Sequence, residues 1–493
     1  MHRFSMDRLA LQLLGALALG SLPSCTSADA AGETSASPRA EETVLRAQAL
    51  SAGPPDKAHP GKAQRGKKLF EHAFPSSNGR SCASCHVLEE DTTLHPESVQ
   101  ARLAANPQDP LFSRLDADDP AAPQPTYEHL KKGLVRVVLA LPDNMDVIDF
   151  EGNVVTSSGR TIAVWRGVPS VADTALTAPY QLDGRQATLE QQAQAAVTSH
   201  SQGPRLLRRE LEEIAAFQRE VFSSPRAWFV SQLLDYGLPL GEIPVPEKFA
   251  PLTAAEERGR KVYDLACNAC HGSATTDRII DRAVHDLFFA QLKPDGNVRF
   301  EMVAGKAVAV LAPHPEDEFL NLGFGLGSYL AQVGLGKAFN SDVELPRYRF
   351  RFYADGSRQQ AVLDLPPVPQ TQSGQPFDPR PLLDADGAPI VGPNRVPQLF
   401  STDPGRALIS GDPADFEAFD VPPLRGIART APYYHDNSLG TLEDVVDAYS
   451  RFVLGSITPM KLPPVHPPEV PNAPPEALSR DEKSDLVTFL RRL

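Results

Sequence analysis

Hydrophobic positions along the chain fall into a few short helical stripes set between long polar stretches. In residues 205–219, Leu207, Leu211, Ile214 and Ala215 recur at helical spacing, which gathers them on one face of an α-helix. Residues 479–493 repeat the pattern with Leu486, Val487 and Leu490, and Ser479 with Glu482 forms a capping box at the start. A further helix is expected to begin near Thr441. Two short amphipathic openings, Gly66-Lys67-Lys68-Leu69-Phe70 and Gly259-Arg260-Lys261-Val262-Tyr263, each end on an aromatic. Between 272 and 420 the pattern gives way to Pro, Gly and Asp, and residues 366–397 read as loop.

The N-terminus has a different character. Residues 9–22 are a largely apolar run behind Arg3 and Arg8. The run is too short for a membrane span, which needs about 20 residues, and fits the core of a secretory signal peptide. Leu22-Pro23-Ser24-Cys25 is similar to a bacterial lipobox, although Pro23 departs from the usual pattern; lipidation of Cys25 and ordinary cleavage are both open. The Ser/Ala/Thr/Pro-rich residues 26–60 read as a flexible tether. The mature protein is therefore expected to be exported, in the periplasm or held to a bacterial membrane by lipid alone.

Composition narrows the class. The chain has 493 residues, 41% of them hydrophobic, which is enough for a real core. A formal net charge of -14 excludes nucleic acid as the natural partner, because phosphate contacts need clustered Lys and Arg. The 47 prolines predict many loops and few long sheets. There are five cysteines, and after Cys25 the other four stand in two motifs, Cys82-Ala-Ser-Cys85-His86 and Cys267-Asn-Ala-Cys270-His271.

C-x-x-C-H is the attachment signature of c-type haem: two thiols bond the porphyrin and the adjacent histidine reaches the iron. A redox dithiol or half a zinc site is the bland alternative. Two copies in a cysteine-poor chain favour two covalent haems, held by Cys82, Cys85, Cys267 and Cys270, with His86 and His271 as iron ligands. A second repeat supports an internal duplication. Val168-Pro169, Thr177-Ala-Pro-Tyr180, Asp183 and Thr188-Leu-Glu190 recur as Val421-Pro422, Thr430-Ala-Pro-Tyr433, Asp436 and Thr441-Leu-Glu443, always 253 positions later. The haem motifs are only 185 apart, so the second half holds about 68 extra residues within 272–420. The insertion reads equally as decoration or as a cover over one haem edge. The expected fold is mainly α: two cytochrome c-like helical haem domains in tandem, 61–247 and 248–493, with a loop-rich insertion in the second.

The phrase Val421-Pro-Pro-Leu-Arg-Gly-Ile-Ala-Arg-Thr-Ala-Pro-Tyr-Tyr-His-Asp-Asn-Ser438 with Thr441-Leu-Glu-Asp-Val-Val446 resembles the C-terminal haem domain of bacterial di-haem cytochrome c peroxidases and the related MauG enzymes. Pro169-Ser170, Asp183-Gly-Arg185 and Thr188-Leu-Glu-Gln-Gln192 resemble the N-terminal domain of that family. The resemblance covers 61–271 and 420–493 and leaves out most of the insertion.

This resemblance implies a reaction centre at the His86 haem and an electron port at the His271 haem. The port's distal ligand lies nineteen residues after the Thr of Thr-Ala-Pro, which is Tyr449. Ordinary peroxidases have methionine there and MauG has tyrosine; a phenolate favours ferric iron where a thioether favours ferrous. The alternatives are that Tyr449 is a packed helix aromatic, or that Met460 is the ligand. At the reaction centre Gln192 matches the family's distal glutamine. The distal glutamate position is Gln202, and an amide cannot act as acid or base. His200, two residues away, could replace it or be an exposed loop residue. The inter-haem tryptophan is Leu182 here, with Trp165 and Trp228 elsewhere. Thr430 and Pro432 match backbone ligands of the family's inter-domain calcium.

The implied function is a haem oxidoreductase that activates peroxide or dioxygen, with conventional peroxidase activity in doubt. Competing readings are a non-catalytic di-haem electron carrier and an oxygenase resembling the di-haem rubber-cleaving enzymes. Expected partners are a small redox protein (cytochrome c or cupredoxin) as electron donor, or a protein or organic substrate.

Overall fold

The computed structural model describes residues 61–236, 251–267, 271, 297–303, 306–312, 319–320, 339–340, 342–366, 400–450 and 477–493. The signal-peptide and tether assignments, Cys25, Cys270, Met460 and almost all of the 366–397 loop assignment lie outside these residues.

The first half supplies helices α1 (Lys62–Glu71) and α2 (Pro96–Ala105), then strands β1 (Leu134–Ala140), β2 (Met145–Ile148) and β3 (Thr161–Gly167). Helices α3 (Leu189–Ser199), α4 (Arg208–Gln218) and α5 (Pro225–Asp235) follow. The second half opens with α6 (Ala254–Ala266) and continues through strands β4 (Asn297–Val303), β5 (Lys306–Ala312), β6 (Phe319–Leu320), β7 (Arg349–Tyr353) and β8 (Ala361–Leu365). It closes with α7 (Ala407–Ser410), β9 (Phe419–Asp420), α8 (Leu442–Ala448) and α9 (Arg480–Leu490).

One helix crossing occurs twice. In α1, a Cβ on Gly66 would lie 1.8 Å from the Glu213 carbonyl oxygen, so only glycine lets α1 and α4 touch backbone to backbone. In α6, a Cβ on Gly259 would lie 1.9 Å from the Asp485 oxygen of α9. The aromatic four residues on completes each crossing: Phe70 packs edge-on to Phe217 at 5.1 Å, and Tyr263 meets Phe489 at 5.5 Å. Both openings are thus helices whose glycine is a contact point. The predicted C-terminal helix is capped by Ser479, whose hydroxyl accepts from the Glu482 N–H. The α4 stripe begins later than its pattern predicts: Leu207 is the N-cap and 66% exposed, so Ile214 and Phe217 carry the buried face.

The offset-253 repeat also has one conformation. Tyr180 and Tyr433 each donate from the phenol to the carbonyl 6 residues back, Thr174 at 3.1 Å and Ile427 at 3.0 Å. Tyr180 bridges to Gln186 as Tyr433 bridges to Leu439. Thr188 and Thr441 then cap α3 and α8.

Between the helical parts lies a third core that the sequence pattern does not announce. Strands β1 and β3 pair antiparallel from Leu134↔Gly167 to Ala140↔Thr161. Strand β2 pairs with β7 (Met145↔Phe352), which pairs with β8 (Phe352↔Leu363), so one sheet takes strands from both halves. Phe350, Phe352 and Leu365 are fully buried against Val164, Met145 and Leu130 in this core. Within the insertion, the described residues include strands β4 to β8; residues 272–296, 321–338 and 367–399 lie outside them. Alternating aromatic and charged residues in β7, Arg-Phe-Arg-Phe-Tyr, are a strand pattern with one face inward.

Candidate functional site

Two cavities lie where the Cys-x-x-Cys-His segments meet the repeats. The first, about 240 Å³, is lined by Cys82, Cys85 and His86, by Gln192, Ala196 and His200 of the α3 segment, and by Gln218 at the end of α4. The second, about 410 Å³, is lined by Cys267 and His271 and, across it, by Val445 and Val446 of α8, Tyr449 and Leu490.

Each histidine is anchored in the same way. Nδ1 of His86 is 3.0 Å from the Thr92 carbonyl, and Nδ1 of His271 is 2.9 Å from the Pro422 carbonyl. A carbonyl oxygen only accepts, so Nδ1 carries the proton and Nε2 keeps its lone pair for a metal. Pro169, repeat partner of Pro422, lines the same cavity as His86. Burial lowers the pKa of His86, which favours the neutral ring, the form able to bind a metal. Burial pushes the Cys82 thiol up to about 12, with Cys85 adding to the rise, and raises Cys85 as well. Reactive dithiols need lowered thiol pKa values, so the redox-dithiol alternative finds no support here. Paired thiols at the first site, Cys267 at the second, and at both an Nδ1-anchored histidine in an apolar cavity fit a covalently held haem.

Tyr449 is the C-cap of α8, half-buried at the edge of the second core. Its ring and that of His271 have centroids 6.5 Å apart and are inclined at 60°. Tyr434, in the same cavity, has its pKa raised well above the ordinary value by burial and by the neighbouring Tyr449. In the 253 repeat the position of Tyr449 corresponds to Ala196, which lines the first cavity. One half places a phenol where the other places a methyl group. Subtracting the offset from Tyr449 finds Ala196 in the sequence alone.

The distal candidates separate in space. Gln192 and His200 line the first cavity; Gln202 does not. It is exposed, at φ 49°, with its Oε1 3.5 Å from Asn78 Nδ2, because α3 ends at Ser199 and the chain turns away. His200 is the C-cap of α3, and burial lowers its pKa to about 4, with Arg80 and Arg185 also opposing the cation. A neutral imidazole of that pKa is a poor proton acceptor near pH 7.

Leu182 lines both cavities, and its carbonyl accepts from Asp420 N–H at 2.8 Å. Beside this wall, Arg166 is 3% exposed and paired with Asp403 (2.6 Å) and Asp183 (2.5 Å), and Arg185 also reaches Asp183 (2.6 Å). This charge network ties β3 to the segment before α7. Sequence reading did not find it, because Arg166 and Asp403 are 237 positions apart. Trp165 stacks on His129 at 4.1 Å, in the central core, and Trp228 is half-exposed on α5. Thr430 and Pro432 line the second cavity. Among the described residues, no group of three or more His, Cys, Asp or Glu is placed to hold a metal ion. Nor is any described helix long and apolar enough to cross a membrane.

His86 beside Cys82 and Cys85, and His271 with Cys267 in the second cavity, each with an anchored Nδ1, form sites that fit a haem protein of cytochrome type. The family model for di-haem cytochrome c peroxidase matches residues 60–224. Cytochrome-c peroxidase IdrP2 of Denitromonas iodatirespirans is 40% identical over 92 residues, 19% of this chain and 21% of that protein. Cytochrome c551 peroxidase of Nitrosomonas europaea is 33% identical over 89 residues, 18% of this chain and 21% of that protein. The chain thus spans about a fifth of the length of these curated relatives. A solved MauG-like protein associated with microbial copper homeostasis aligns over 90% of both chains, with 18% identity and a TM-score of 0.38. The diheme peroxidase BthA of Burkholderia thailandensis aligns over 88% of this chain and 86% of its own, with 16% identity and a TM-score of 0.35. Residues 60–224, the region around the first haem motif, are thus similar to the di-haem cytochrome c peroxidase family.

Proposed function

We propose that this chain is an exported, peroxidase-like oxidoreductase with two tandem cytochrome c-like haem domains. It activates peroxide or dioxygen at the haem held by Cys82, Cys85 and His86. The haem held by Cys267, Cys270 and His271 passes electrons, with Tyr449 as its second protein ligand. The observation that carries this reading is the asymmetry of the repeat: Ala196 leaves the first cavity without a ligand at the place where Tyr449 faces His271 in the second.

The haem would supply the redox chemistry with peroxide or dioxygen. The protein's own part is physical. The Thr92 and Pro422 carbonyls fix the histidine tautomers. Gln192 offers an amide donor in the first cavity. With Gln202 turned outward and His200 neutral, neither distal candidate is a well-placed acid or base, so slow turnover with hydrogen peroxide is expected. A small redox protein is the proposed electron donor, and Thr430 and Pro432 the proposed carbonyl ligands of calcium between the halves.

Electron paramagnetic resonance of the ferric protein tests the proposal. One high-spin haem that binds cyanide and one low-spin haem that does not is the expected result. Two low-spin haems indifferent to cyanide would favour the electron-carrier reading.

A further inference from the structure

The two cavities are built on the same frame, so residues at matching places can be compared directly. The α1–α4 and α6–α9 crossings match Glu213 with Asp485 and Phe217 with Phe489, an offset of 272. The next residue, Gln218, therefore corresponds to Leu490. On α3, Gln192 corresponds to Val445 of α8 at the offset of 253. Val445 and Leu490 line the second cavity; Gln192 and Gln218 line the first. Only the first cavity carries an amide pair where the second is apolar.

The pair is in contact. Gln218 is 2% exposed, and its Nε2 donates to Gln192 Oε1 at 3.5 Å. Its own Oε1 is buried with no hydrogen-bond partner. Leucine at this place costs nothing in the other half, whereas a buried amide oxygen left unpaired costs stability. The backbone does not explain the choice, since the Gln218 carbonyl is satisfied by Thr174 Oγ1 at 3.2 Å whatever the side chain.

We infer that Gln218 is a positioning residue for the open haem site, holding Gln192 so that its NH₂ group, rather than its carbonyl, faces a small anionic or peroxidic ligand. Because Gln218 Nε2 occupies Gln192 Oε1, the remaining polar group of Gln192 is a donor. The free Oε1 of Gln218 then accepts from an O–H of the ligand or of a water beside it. This deepens the proposed function and rests on the His86 haem being open.

Fluoride titration of the ferric holoprotein tests it, since bound fluoride needs a hydrogen-bond donor. Gln218→Leu, the residue of the other half, should weaken fluoride about tenfold, as should Gln192→Leu, the size expected for one hydrogen bond to a charged group. The double variant should be no weaker than the worse single, because one amide acts through the other. Covalent haem content and the spectrum of the His271 haem should not change. Gln218→Met, a straight chain of similar length, should give the same loss and guards against a packing artefact of leucine. Fluoride affinity within twofold of wild type in Gln218→Leu and Gln218→Met, or losses that add in the double variant, overturns the positioning role alone. A wild-type protein that binds neither fluoride nor cyanide overturns the open-haem reading and this inference with it.

Discussion

The glycine crossings make the strongest quantitative claim about the fold. In Gly66→Ala the new methyl would sit 1.8 Å from the Glu213 carbonyl oxygen and 3.0 Å from Phe217 Cβ. Helices α1 and α4 must then part by more than about 1 Å, and gaps of 0.5–1 Å already forfeit roughly a quarter to a half of each contact's attraction. The face being opened holds Phe70, Ile214 and Phe217, all buried in the first helical core. Such overpacking costs about 1–3 kcal/mol and more where backbone meets backbone. Alanine returns about 1 kcal/mol of helix propensity. With the cost near the top of that range, a net loss of about 1–2 kcal/mol is expected, or roughly 2–8 °C in melting temperature for a unit of 150–250 residues. Phe70 lies 6.3 Å from the His86 ring, so the His86 haem's optical signal should report the loss. Gly259→Ala, 1.9 Å from Asp485 O, should do the same at the His271 haem, where Tyr263 donates to the His271 carbonyl at 3.2 Å. Thermal unfolding followed at each haem is the assay. Alanine variants within 0.5 kcal/mol of wild type, or more stable, would refute the backbone crossing.

Tyr449→Met should raise the potential of the His271 haem, and Tyr449→Phe should change its spectrum, by potentiometric titration; an unchanged Phe variant reduces Tyr449 to a packed aromatic. Ala196→Met should place a thioether where the repeat puts Tyr449, converting the His86 haem to low spin and suppressing cyanide binding; a variant still high-spin counts against the equivalence. Burial alone would raise the Asp118 pKa, but hydrogen bonds from Thr126, from the Glu128 backbone and from His129 outweigh it and hold it at about 2. A depressed carboxylate stabilises the fold above its unfolded pKa and loses that contribution as pH falls from about 4 to 2. Asp118→Asn should therefore cost about 1–2 kcal/mol at pH 7 and much less near pH 2, by urea denaturation; a loss independent of pH would point to packing instead.

The sequence by itself determined what is local or repeated. Two haem motifs, the capped starts of α8 and α9, the glycine-to-aromatic openings of α1 and α6, and the constant offset of 253 are all contiguous patterns, set by covalent spacing and helix periodicity. Through that offset, even the pairing of Tyr449 with Ala196 was within reach. The tertiary structure alone decided what depends on distant partners. Strand β2 finds β7 about 200 positions away, and Arg166 finds Asp403, because burying Phe350 and a charged guanidinium requires neighbours that no short-range pattern names. It also decided which distal candidates meet: Gln202, placed by spacing, is turned to solvent once α3 ends at Ser199, while Gln218, 26 positions from Gln192, is brought to it by the packing of α3 against α4. Helical spacing fixes direction only as long as the helix lasts; beyond it, packing decides where a side chain points.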